Sequence, residues 1–315
     1  MGWHKLEYRP DPNVGSNSND FTAAAAISAS DVWAVGRSIN SAGVDQTLAE
    51  QWNGTSWNVV PTPNVGSGNN DLLAVTAVSA NDIWAVGRST ASSGHDRTLT
   101  EQWNGTSWNV VPSPNTGSYS NDLIGVTAIS ANDIWAVGAS QNFLGQYHTL
   151  TEHWNGSSWS IVSSPGPGIS SALTGVGAVS SNIVAAVGLS VNLSGTYRTL
   201  VEHWNGKKWS TVSSPNAGSG SNVLGAIAIA SAKDIWISGY STNSSNVTQT
   251  LIEHWDGKQL GIVSSPNVGS GNNELFAITR VPGTTQFWSL GYSTSSSGAE
   301  QTLAESYCEG PSGSN

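Results

Sequence analysis

Residues 71–121 read DLLAVTAVSANDIWAVGRSTASSGHDRTLTEQWNGTSWNVVPSPNTGSYSN, and this text returns along the whole chain. Trp-Asn-Gly begins at Trp52, Trp103, Trp154 and Trp204, and Trp-Asp-Gly at Trp255, in steps of 51, 51, 50 and 51 residues. Asp-(Ile/Val)-Trp-Ala-Val-Gly begins at Asp31, Asp82 and Asp133, with degenerate copies from Asn182, Asp234 and Gln286. Thr-Leu-x-Glu begins at Thr47, Thr98, Thr149, Thr199, Thr250 and Thr302. Residues 20–70 laid on 71–121 give 34 identities in 51 positions, the mark of recent duplication or consensus building. A fixed period of this length defines a unit that must stack on its neighbours to bury its apolar face.

The unit reads as four short strands. Residues 72–79 are apolar and small, and Ala80-Asn81-Asp82 makes a turn through side chains that bond local backbone. In 83–87, Trp84 and Val86 share one face and Ile83 and Ala85 the other. A Gly/Ser/Thr loop over 88–96 leads to a third strand, 97–103. Asn104-Gly105 reads as a two-residue hairpin turn, since both positions tolerate positive φ. The fourth strand covers 107–112, and a polar loop over 113–121 leads onward. No segment carries helical periodicity over 11 or more residues. Four antiparallel strands per repeat of about 50 residues predict an all-β chain, a six-bladed β-propeller forming a single domain over 1–315. The blades fall near 20–70, 71–121, 122–171, 172–222, 223–273 and 274–309 plus 4–19. The sixth copy lacks a fourth strand. Tyr8-Arg9-Pro10-Asp11-Pro12-Asn13-Val14-Gly15 aligns with the stretch from Val59 to Gly66, so the N-terminal strand is expected to close the last blade and remove an open edge.

The motifs resemble the kelch repeat family. A strand ending in glycine (DIWAVG, 82–87) precedes a strand running into a turn and a tryptophan (TLTEQWNGTSW, 98–108). Kelch blades carry two adjacent glycines, whereas Gly87 is followed by Arg88, so the chain is kelch-like. The resemblance implies partner binding through the loops of one face. Similar WNG-type repeats of about 50 residues are associated with bacterial surface or secreted proteins.

Composition narrows the partners. Eleven Lys+Arg against 21 Asp+Glu give a net charge of -10, which excludes nucleic acid and anionic membrane surfaces as expected partners, because both need a basic patch. The single Cys excludes a disulfide framework and a Cys-based zinc site. No apolar run is long enough for a membrane-inserting helix, and residues 1–12 do not read as a signal peptide. No catalytic or nucleotide-binding fingerprint is present. No cofactor and no metal site are assigned, since the oxygen-rich loop 63–71 lacks an EF-hand-like ladder of acids.

Fourteen of the 15 Trp recur at strand positions, and their expected role is to fill the spaces between blades. The recurring Glu50, Glu101, Glu152, Glu202, Glu253 and Glu305 lie among apolar neighbours and are expected to be bonded to backbone N–H groups or hydroxyls. One per blade, they do not single out the converging pair of a glycosidase, so no catalytic residue is assigned. Asp31, Asp82, Asp133 and Asp234 read as turn caps. His153, His203 and His254 take the place of Gln51 and read as structural.

Function is therefore expected where the repeats differ. The second-to-third and fourth-to-first connections read as long and emerge on one face, which makes that face the candidate recognition surface. Its variable positions include Arg37, Arg88, Arg97, Tyr147, His148, Tyr197, Arg198, Tyr240 and Tyr292, residue types that suit a binding hot spot or a lectin-like sugar site. The expected function is a non-enzymatic binding module for a glycan or protein ligand, acting as a secreted or cell-surface monomer. The alternatives are a symmetric structural scaffold without a ligand and a glycan-cleaving enzyme.

Overall fold

The computed structural model describes residues 10–308. Blade 1 comprises β1 (Asn19–Ser28), β2 (Asp31–Ile39), β3 (Asp45–Trp52) and β4 (Trp57–Val59). Blade 2 comprises β5 (Asn70–Ser79), β6 (Asp82–Thr90), β7 (Asp96–Trp103) and β8 (Trp108–Val110). Blade 3 comprises β9 (Asn121–Ser130), β10 (Asp133–Gln141), β11 (Tyr147–Trp154) and β12 (Trp159–Ile161). Blade 4 comprises β13 (Ser170–Ser180), β14 (Ile183–Val191), β15 (Tyr197–Trp204) and β16 (Trp209–Val212). Blade 5 comprises β17 (Asn222–Ser231), β18 (Asp234–Thr242), β19 (Thr248–Trp255) and β20 (Leu260–Val263). Blade 6 comprises β21 (Asn273–Arg280), β22 (Gln286–Thr294) and β23 (Glu300–Cys308). Each blade is an antiparallel meander; five are four-stranded, and the sixth has three strands among the described residues. The N-terminal strand expected to complete it falls on residues that, up to Arg9, lie outside the described part, and 10–18 form no strand. The architecture is the all-β, six-bladed propeller ring that the repeat predicts.

The first strands line a central channel of about 620 Å3. Adjacent first strands are tied by threonines, with Thr22 Oγ1 donating to Leu72 O (2.6 Å) and Thr174 Oγ1 to Leu224 O (2.7 Å). The glycine ending each DIWAVG-type string lets the second strand cross a bulge in the first. A Cβ at Gly87 would lie 1.9 Å from Asp71 O, so no side chain fits there.

The core is divided into layers between neighbouring blades. Trp33, Trp84 and Trp135 are fully buried, each pressed on the next blade. Trp33 meets Trp103 and Trp108 at ring distances of 4.9 and 5.4 Å, Trp84 meets Trp154 and Trp159 at 4.8 and 5.5 Å, and Trp135 meets Trp204 and Trp209 at 4.9 and 5.3 Å. Aromatics bury about 150–250 Å2 each, so each wedge brings roughly 4–6 kcal/mol of apolar transfer before entropy is counted. Trp288 in blade 6 departs from this pattern and is 37% exposed.

Several local expectations are corrected. The β7–β8 connection is the stretch 104–107, because Trp103 pairs with Trp108. Only Gly105 has positive φ, while Asn104 Oδ1 accepts the N–H groups of Thr106 and Ser107, so the asparagine acts as an Asx cap. The aspartates do not cap the first turn. Ser28, Ser79, Ser130 and Ser231 do, accepting N–H groups of the turn on Oγ. The aspartate instead accepts from the third strand: Gln51 to Asp31 (2.9 Å), Gln102 to Asp82 (2.8 Å), and His153 and His254 beside Asp133 and Asp234 (2.8 and 2.9 Å). In blade 4 the register pairs Ile183 with Ser180 as Asp133 pairs with Ser130, so Ile183, one place after Asn182, holds the aspartate position.

All six recurrent glutamates are buried. The expected bonds form for Glu253, which accepts from Ser214 Oγ at 2.8 Å, and for Glu305, which accepts from Ser265 Oγ (2.7 Å) and Tyr307 OH (2.6 Å). Glu101 and Glu152 have no hydrogen bond at either oxygen, and burial pushes both carboxyls up to about 8. At neutral pH they are held as neutral acids, which is how an unpaired buried carboxyl avoids the cost of charge.

Candidate functional site

Strands 2 and 3 pair to their ends, Thr90 with Asp96 in blade 2, so the second-to-third connection shrinks to 91–95. This connection is shorter than expected because Arg88 and its equivalents belong to the ladder. The fourth-to-first loop is the long one, and it turns over the same end of the blade. Its asparagines are spent on holding it: Thr47 N–H donates to Asn64 Oδ1 (3.0 Å) and Val65 N–H to Asn70 Oδ1 (2.9 Å). The next blade is stitched on by Asp45 N–H to Asn69 Oδ1 (3.1 Å) and, at blades 3 and 4, by Tyr147 N–H to Ser170 Oγ (2.8 Å). This end of the blades is thus a set of loops braced by side-chain hydrogen bonds around the channel mouth.

Side chains at the mouth change character around the ring. In blades 1 to 3 the first and second strands pair Asp20 with Arg37, Asp71 with Arg88, and Asp122 with Ala139. Arg37 reaches Asp20 and Asp45 at 3.3 Å and Asp71 at 3.9 Å. Arg88 reaches Asp71 at 3.0 Å and Asp96 and Asp122 at 3.9 Å. The two arginines form one chain of charge across three blades. Burial works against the charge of Arg88, but its bond to Asp71 and the fields of Asp122, Asp71 and Asp96 hold its pKa above the ordinary value. Asp122 is pushed up to about 6, by burial first; Arg88 opposes the rise, and Asp96 and Asp71 add to it.

On the other side the same positions hold Ala172 with Leu189, Val223 with Tyr240, and Glu274 with Tyr292. Tyr240 and Tyr292 flank Phe276, at ring distances of 6.4 and 5.8 Å. Burial and the nearby Glu274 raise both tyrosines, Tyr292 to about 12, so both remain neutral donors. Phe276 escaped the sequence reading because it sits in the bulge between Leu275 and Ala277, where strand alternation fails.

The loop tips differ as well. Blades 1, 2, 5 and 6 carry Ser, Ala, Gly or Asn at 41–43, 92–94, 244–246 and 296–298. Blades 3 and 4 carry Phe143, Leu144 and Leu193, exposed by 73, 65 and 91%. Tyr147 and Tyr197 stand exposed at the starts of β11 and β15 in the same two blades. Three apolar residues in Ser/Gly/Asn loops were the available sequence signal for this crest.

The nine sequence-selected residues therefore divide by role. Arg37 and Arg88 lie in the charged arc, Tyr240 and Tyr292 in the aromatic arc, and Tyr147 and Tyr197 beside the apolar crest. His148 Nε2 lies 3.1 Å from Asn142 Nδ2, at a cleft of about 380 Å3 lined also by Tyr119 and Phe143. Arg97 and Arg198 are occupied as loop clamps: Arg97 donates to Gly117 O (3.2 Å) and Ser118 O (3.1 Å), and Arg198 to Gly220 O (3.4 Å). No group of three or more metal-ligating side chains occurs among the described residues.

With this geometry in hand, comparison with solved structures gives the fold independent support. A protein described as YjhT is similar over 93% of this chain and 95% of its own, at 12% identity and a TM-score of 0.54. A protein of unknown function from Dyadobacter fermentans is similar over 95 and 98%, at 10% identity and a TM-score of 0.56. The chain is a six-bladed propeller. A xyloglucanase from Xanthomonas campestris is similar over 79% of this chain but 39% of its own, at 12% identity and a TM-score of 0.50. At such identities the likeness shows the fold alone. No family model and no curated protein matches the chain.

Proposed function

We propose that this propeller is a non-enzymatic binding module that takes a protein segment on its loop face, through the apolar crest of blades 3 and 4. The observation that carries this reading is the concentration of Phe143, Leu144 and Leu193 at the tips of two adjacent blades while the other tips are small and polar. Exposed apolar side chains grouped on one face mark interaction sites, and aliphatic tips gain most from a partner's own apolar groups. Tyr147 and Tyr197 beside them are residue types that dominate binding hot spots. A glycan is the second reading, favoured by the Tyr240–Phe276–Tyr292 rings at the channel mouth. The enzyme reading draws less support, because the recurrent glutamates are buried and the aspartates of the charged arc are bound to Arg37 and Arg88. A kelch-like, extracellular role for a monomer belongs to the same proposal and rests on the low charge and the braced loop face.

Selection of a random peptide library on the full chain tests the reading. Peptides enriched on the wild type should lose at least about tenfold in affinity on the F143S/L144S/L193S variant, the effect of removing a few well-buried anchors. Retained affinity on that variant, or no enrichment at all, overturns it. Saturable binding on a glycan array that Y292A abolishes would establish the second reading instead.

A further inference from the structure

The junction between blades 4 and 5 lacks the wedge found at the three junctions before it. Ala185 stands where Trp33, Trp84 and Trp135 stand in blades 1 to 3, three residues before the strand's glycine. Across the junction Trp255 holds the position of Trp204, and Leu260 that of Trp209, as their strand pairings show. The space left is a cavity of about 150 Å3, walled by Ala185, Ile183, Ile235, Trp255 and Leu260 and bounded by His203. Ala232, which also lines it, is exposed, so the cavity opens to solvent. Apolar cavities of about 150 Å3 bind small aromatics in engineered proteins.

The polar partner is missing too. At the corresponding place in blades 3 and 5, His153 and His254 each bond an aspartate and lie against the indole of Trp135 or Trp236, at 4.5 and 4.3 Å. His203 has Ile183 in place of the aspartate and Ala185 in place of the indole, and its ring has no hydrogen bond among the described residues. In blade 2 one carboxylate oxygen serves two donors, with Trp84 Nε1 and Gln102 Nε2 both bonded to Asp82 Oδ1 at 2.9 and 2.8 Å. Blade 4 has thus lost a planar ring and the carboxylate beside it.

We infer that the cavity between blades 4 and 5 is a binding site for a small planar aromatic acid, its ring seated against Trp255 in the place of the absent indole and its carboxylate accepting from His203. The site is separate from the loop face. It is built from residues that the repeat elsewhere uses as structure, and its ligand chemistry is the chemistry the blade no longer supplies.

Indole and indole-3-carboxylate, titrated into the full chain by calorimetry, test this. Each should bind one site, the carboxylate about tenfold tighter for its charge-assisted hydrogen bond. Ala185→Trp should abolish both, and His203→Phe should erase the advantage of the acid while indole still binds. In the wild type, nuclear Overhauser contacts should join the ring protons to the Ala185 methyl, a readout that stands even if Ala185→Trp does not fold. Absence of saturable binding, binding without contact to Ala185, or binding unchanged by Ala185→Trp would overturn the site. Equal affinities for the two probes would overturn the role given to His203.

Discussion

The junction between blades 3 and 4 and the junction between blades 4 and 5 are made from the same repeat and solve the same packing problem differently. In the first, Trp135 is buried between Trp204 and Trp209, and His153 lies between that indole and Asp133. In the second, Ala185 and Leu260 leave an opening, and aliphatic Val187, Val201, Ile235 and Ile237 carry the contact. The carboxyls differ too. Ser214 Oγ donates to Glu253 across the second junction, whereas Ser164 Oγ donates to Thr149 Oγ1 at 2.8 Å and both oxygens of Glu202 are left without a hydrogen bond. A propeller shares its stability among many junctions, so one can give up its wedge and stay in the ring. That tolerance is what frees a blade interface to become a site.

The comparison breaks most sharply under Trp135→Ala, which gives the first junction the defining substitution of the second. The expected cost is about 3–5 kcal/mol, the usual range for truncating a buried Trp, read as a fall in Tm on the order of 10 °C for a chain of this size. A fall of only a degree or two would mean that the indole wedge is not what separates the junctions. The pH dependence sharpens the same contrast. Burial pushes Glu202 up to about 8 and Glu253 up to about 7. Both lie above the ordinary value, so the folded chain holds protons that the unfolded chain releases. The stability these two acids contribute is fully present below about pH 4.5 and is lost as pH rises through their folded values toward 8. Glu202→Gln should flatten the decline of Tm between pH 5 and 9, and Glu253→Gln should flatten it less. Equal slopes for wild type and Glu202→Gln would contradict the neutral, buried acid. The smallest effect is expected on the face itself. Arg97→Ala, which releases the carbonyls of Gly117 and Ser118, should speed hydrogen exchange across 115–121 and move Tm by under about 2 °C, since surface-bonded side chains contribute little.

Much of the fold was legible because each repeat carries its own punctuation. The period, the Asn-Gly turns and the alternation around Trp84 located the strands, and the recurrence of tryptophan at those places identified the interblade core. Reading failed where a role depends on a partner distant in sequence. Asp82 looks like a turn residue in its own neighbourhood, yet its carboxylate serves Gln102 and Trp84. Arg97 and Arg198 look free in a variable position, yet both are clamped to the following loop. The repeat brings both loop sets to one end of the blades, but the division of that end into a charged arc, an aromatic arc and an apolar crest depends on which blades stand side by side.

By itself the sequence determined the number of blades, the strand order within each and the identity of the wedge, because these depend on local pattern and on repetition. The tertiary structure alone decided which of the six buried acids find a hydroxyl partner, that Ala185 faces a cavity rather than a filled layer, and that His203 has neither an aspartate nor an indole beside it. Burial and hydrogen bonding are properties of the space between two blades, and that space is bounded by side chains about 50 residues apart in the chain, which no local pattern can bring together.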